Sequence, residues 1–115
     1  MSLDVTLYVK IDTGGKEKKE IELYWANITH NLAEMADAAG IYECLWRPDE
    51  IGAKYAKDII NCLEDGLKKL KADPEKYKKY DSPNGWGIYE HFVPFVENYL
   101  EACKDNPKAL IHVSR

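Results

Sequence analysis

Trp25-Ala26-Asn27-Ile28-Thr29-His30-Asn31 is the densest run of functional side chains in the sequence. Asn27 and Asn31 lie four apart, so a helix there would carry both carboxamides on one face. His30, Glu34 and Asp37 would share a face as well, where an imidazole and two carboxylates could bind a metal or move protons. That pattern supplies three ligands at most, from a solvent-facing side, and lacks the specificity of His-Glu-x-x-His. A capped helix start with a weak His30–Glu34 surface pair is therefore the expectation, and no metal ligand is assigned.

Two further clusters carry chemistry. Tyr42, Trp46, Arg47 and Pro48 form the first. Trp and Arg are enriched at interface hot spots, and the guanidinium fork suits a phosphate or carboxylate. The competing reading has Trp46 capping the core with Arg47 lying over it. Asn84-Gly85-Trp86-Gly87 is the second. It is either a loop that closes over a ligand or a tight turn whose Trp86 plugs the sheet, and the plug is expected. A lone Gly-x-Gly lacks the setting of a nucleotide fingerprint.

Lys68, Lys69, Lys71, Lys76, Lys78 and Lys79, with Tyr77 and Tyr80, resemble a basic patch with aromatics. Lysines at a helix C-terminus also complement its dipole, so nucleic-acid binding through Lys68–Lys79 ranks last. Neither His91 nor His112 has a nucleophile pattern beside it, and there is no Gly-x-Ser-x-Gly elbow or P-loop. No catalytic residue is assigned, no cofactor is expected, and the balance leans away from an enzyme.

The elements that must position these clusters can be read from periodicity. Residues 3–11 alternate strictly, with Leu3, Val5, Leu7, Val9 and Ile11 on one face. Gly14-Gly15 reads as a turn, and 19–25 alternate again with Ile21, Leu23 and Trp25 on one side, which makes a β-hairpin. A helix capped by Asn27 or Thr29 follows and ends at Gly40, with Ile41 as the next apolar contact. Residues 53–72 give the clearest helix, with Gly66 inside its apolar half marking a close backbone approach. A short turn restarts at Pro74, a last helix covers about 88–104 with Pro94 on its outer face, and 109–113 close as a strand. The expected fold is one α+β domain, 1–115. Its hairpin and C-terminal strand form a small, mainly antiparallel sheet, with three to four helices on one face.

Composition bounds the partners. Eight Tyr and three Trp stand against two Phe, an excess of aromatics with a polar handle that suits a half-wet binding surface. The net charge of −4 disfavours a general nucleic-acid binder. Three cysteines without a C-x-x-C spacing fit reduced thiols. No leader-like segment is recognisable and no apolar run reaches membrane-spanning length, so a cytoplasmic protein is expected.

Trp25-Ala26-Asn27-Ile28-Thr29-His30-Asn31-Leu32, Met35-Ala36, Ala39-Gly40-Ile41-Tyr42, Leu45-Trp46-Arg47-Pro48 and Asn84-Gly85-Trp86-Gly87 resemble the landmarks of a family of small phage and prophage proteins. The Met1–Val5 opening and the Val113-Ser114-Arg115 ending are similar too, so the resemblance covers most of the chain. It implies a phage or mobile-element origin and carries no activity or site residue with it. The favoured reading is a protein-interaction module using Asn27, His30, Asn31, Tyr42, Trp46, Arg47, Asn84 and Trp86, with a host or phage protein, or a second copy, as partner. The alternative is a small-ligand or metal-binding protein or hydrolase, with Asn27, His30, Asn31 and Arg47 around a pocket closed by the 85–87 loop.

Overall fold

The alternating segment Ser2–Ile11 forms strand β1, and Lys19–Thr29 forms β2, its antiparallel partner. The turn between them is held by the Gly14 amide, which donates to Asp12 Oδ1 at 2.8 Å. Strand β3, Leu110–Ser114, pairs antiparallel with the other side of β1. The sheet order is β2-β1-β3, so β2 and β3 are both edges. The computed structural model describes residues 2–115; Met1, part of the 1–115 domain and of the opening used in the resemblance, lies outside them.

Leu3, Val5 and Leu7 point into the core as their alternation requires. The facing side of β2 differs from expectation. Ile28, Ala26 and Tyr24 oppose Leu3, Val5 and Leu7, and a β-bulge between Leu7 and Tyr8 then pairs Tyr8 with Glu22. Leu23 is the extra residue. The inward set near the helices is therefore Tyr24, Ala26 and Ile28, and Trp25 is turned outward with 52% of its surface exposed. Tyr24 stacks on Tyr99 from the helical layer, rings 6.0 Å apart and 12° from parallel. Sequence alternation alone cannot register a bulge, because one inserted residue exchanges the faces beyond it.

The helical layer starts at the later of the two expected caps. β2 runs through Asn27 and Ile28 to Thr29, whose hydroxyl accepts the Asn31 amide and caps a 3-10 turn, His30–Leu32. Asn27 and Asn31 thus lie on different elements. Helix α1, Ala33–Ala38, ends at Gly40, where φ is +78°. Gly40 N donates to the Asp37 carbonyl and Ile41 N to the Ala36 carbonyl, the paired bonds of a Schellman ending, and Ile41 is fully buried. Helix α2, Tyr42–Trp46, follows. The long central helix begins with a 3-10 turn, Ala56–Ile59, and becomes α3 at Ile60–Ala72 rather than at residue 53. Helix α4 spans Pro74–Lys78 and α5 spans Tyr89–Asp105, which makes five α-helices among the described residues against the three to four expected. Pro94 lies at an exposed position of α5, on the outer face that the spacing assigns to it.

Gly66 accounts for how the α1–α2 corner meets α3. A Cβ there would stand 2.1 Å from Ile41 Cγ2, so only glycine lets Ile41 seat on the helix. The core then fills between this corner, α3, α5 and the inner sheet face, with Met35, Leu45, Ile59, Leu63, Phe92 and Tyr99 fully buried.

Candidate functional site

Where β2 leaves the sheet, its free edge faces α5 across an open cleft of about 1120 Å³. One wall is the chain from Ala26 to Leu32 with Tyr24. The other is His91, Phe95 and Asn98, which recur at the i, i+4, i+7 spacing of one face of α5. Asn84 to Gly87 form the rim.

The rim loop is held rather than loose. Asn84 Oδ1 accepts from the Trp86 amide at 2.9 Å and from the Ser82 hydroxyl at 2.6 Å, and Ser82 N donates to the Gly87 carbonyl at 3.0 Å. Asn31 Nδ2 reaches across and donates to the Trp86 carbonyl at 2.8 Å. Gly87, at φ +104°, lies so close to Thr29 and Asn31 that a Cβ would come within 2.9 Å of both. Loop and β2 end are therefore fastened together, and the Trp86 indole is left standing out. It is 72% exposed, the most exposed large apolar side chain among the described residues. The expected plug role is overturned: the backbone of this loop packs on Thr29 and Asn31, and the side chain stays in water.

His30 connects the cleft to the second cluster. Trp46 Nε1 donates to His30 Nδ1 at 2.9 Å. An acceptor Nδ1 requires the neutral ring with its hydrogen on Nε2. Trp46 itself is only 3% exposed and stacks on Tyr42, rings 5.4 Å apart. It holds His30 from behind and presents no surface to a partner. Arg47 Nε donates to the Tyr42 hydroxyl at 3.4 Å and its Nη1 pairs with Glu50 at 3.2 Å. Arg115 closes the same corner, donating to the Trp46 carbonyl and to Asp49. The structure thus brings Asn27, His30, Asn31, Asn84 and Trp86 to one cleft, with Trp46 and Tyr42 behind it. Arg47 does not line that cleft.

Tyr24, Phe95 and Asn98 also line the cleft and were not named as site residues from sequence. The 91/95/98 spacing was legible, but nothing in the chain order shows that β2's edge lies opposite it. Among the described residues, no three His, Cys, Asp or Glu side chains come together in a way that could hold a metal ion. His30 sits on the 3-10 turn and Glu34 and Asp37 on α1, which follows it directly, and the three do not form such a group. Of the six lysines near α3 and α4, Lys71 pairs with Glu97 at 2.9 Å and Lys78 lies between Glu75 and Glu90, while Tyr77 is buried. No described helix is long and apolar enough to cross a membrane. No protein-family model, curated protein or solved structure matches this chain.

Proposed function

We propose that this chain is a protein-interaction module, and that its partner offers an extended segment which adds to the free edge of β2 and lies in the cleft against α5. The observation that carries this reading is the uneven protection of that edge. Sheet edges are ordinarily guarded by charge, because their unpaired N–H and C=O groups pair with any passing strand. Distal β2 is guarded in this way by Lys19, Glu20 and Glu22. From Leu23 to Thr29 the strand carries no charged side chain, and that is the half that borders the cleft. Strand addition draws affinity from main-chain hydrogen bonds and specificity from pockets for alternate side chains. Trp86 and Phe95 supply apolar contact, and Asn27, Asn31 and Asn98 supply amides for polar groups. The cleft is open along the strand edge, which suits an extended chain.

A phage or mobile-element origin, a cytoplasmic site of action and a host or phage protein as partner belong to the same proposal. The test is selection from a random linear dodecapeptide library, followed by titration of a selected peptide. Binding should perturb the Trp86 indole and the amides of 24–31, and Trp86→Ala should weaken it by at least about tenfold, the scale of a hot-spot truncation. The substitution should leave the melting temperature in place, since the indole is exposed. A library without binders, or one whose binders ignore Trp86→Ala, would overturn the proposal.

A further inference from the structure

Cys44 on α2 and Cys62 on α3 are brought face to face by the same corner that needs Gly66. Their Sγ atoms are 2.8 Å apart. That is well inside the ~3.5–4.0 Å at which even two carbon atoms rest against each other. It is about 0.8 Å longer than a disulfide bond. The approach is built into the packing. Cys62 and Gly66 are one turn apart on α3, so they share a face. Gly66 receives Ile41, the Cys44 thiol donates to the Ile41 carbonyl at 3.3 Å, and Cys62 Sγ lies 3.6 Å from the Gly40 carbonyl. The seating of Ile41 on Gly66 thus sets the spacing of the two helices at the point where the cysteines meet.

We propose that Cys44 and Cys62 are a dithiol site that a peroxide-class oxidant converts to an intramolecular disulfide. Cys62 is the accessible partner, half-buried where Cys44 is buried. Hydrogen peroxide takes the Cys62 sulfur to the sulfenic acid and leaves as water. The Cys44 sulfur then attacks that sulfur, the S–S bond forms, and hydroxide departs with the Cys44 proton as a second water. Two thiols and one peroxide give one disulfide and two waters. Burial raises the Cys44 thiol well above the ordinary thiol range, and the neighbouring Cys62 adds to this. The second step is therefore slow in solvent terms and depends on proximity. Cys103, pushed up to about 12 by burial, is not part of the pair. The bond would staple α2 to α3 and so fix Trp46, two residues on from Cys44, behind His30.

The experiment is intact-mass analysis of the reduced full chain after treatment with hydrogen peroxide, followed by peptide mapping without reductant. The expected result is loss of two hydrogens, a linked pair of peptides containing Cys44 and Cys62, and reversal by dithiothreitol. The melting temperature should rise on oxidation, by on the order of 10 °C for a loop of this length. Cys103→Ser should keep the linkage and Cys62→Ser should abolish it. Mapping in the unsubstituted chain decides the matter even if a variant does not fold. Unchanged mass, linkage through Cys103, or added oxygen on Cys62 without a cross-link would overturn the proposal.

Discussion

Tyr99 shows how a single residue can depart from the rule that buried polar atoms are paired. Its ring is fully buried and stacks on Tyr24, yet its hydroxyl is the one buried side-chain polar atom among the described residues without a hydrogen-bond partner. An unpaired buried hydroxyl costs about 1–3 kcal/mol. Tyr99→Phe should therefore be at least as stable as the parent at pH 7 in chemical denaturation, and a loss above about 1 kcal/mol would show that the hydroxyl has a partner. The pH dependence follows from the same burial. Desolvation holds Tyr99 above its ordinary value of 10.0 and Cys103 at about 12 against 9.0. These groups stay protonated in the folded chain while the unfolded chain releases their protons. Their contribution is complete below about pH 9 and is lost as pH rises from there through the folded values. Denaturation midpoints should be level from pH 7 to about 8.5 and fall at pH 10 to 11, with Tyr99→Phe falling less. A midpoint that holds at pH 11 would contradict this.

At the scale of elements, the Gly40–Ile41 corner meets α3 at one closely fitted point, Gly66. Gly66→Ala gains roughly 1 kcal/mol of helix propensity but drives a methyl group into Ile41, and such overpacking costs about 1–3 kcal/mol. The variant should lose stability, and in the double variant with Ile41→Ala the total loss should be smaller than the sum of the two single losses; strictly additive effects would mean that the two residues do not meet. This contact was partly legible in the sequence, because a glycine within an apolar helical stripe needs a reason. The Gly40 ending and Thr29 as one of two named caps were legible as well, since each rests on chemistry local to a few residues. The face of β2 was not. Ile21, Leu23 and Trp25 fit an inward stripe as well as Tyr24, Ala26 and Ile28 do, and only the bulge, fixed by pairing with β1, selects the second set. Trp46 was ambiguous for a related reason. Whether a Trp beside an Arg faces water or core depends on what the fold lays over it, here Tyr42 and His30.

The whole molecule is elongated, 53 × 27 × 22 Å, with residues 10–23 of the hairpin exposed beyond the helical layer. The α+β class and the antiparallel sheet of hairpin and C-terminal strand followed from period and order. The cleft did not, because its two walls come from residues 24–32 and 91–98 and meet only once β2 becomes an edge strand. Distance in sequence also hid the union of Asn31 with Trp86, 55 residues apart. The charge-free half of β2 acquires meaning only at this scale, as an edge left open beside a helix. Amide hydrogen exchange of the protein with and without a selected dodecapeptide tests that claim most directly. Exchange should slow within residues 24–29, where new main-chain bonds form, and in the 84–87 loop. Binding that leaves 24–29 unchanged and protects the outer sheet face or the Lys68–Lys79 segment instead would contradict it.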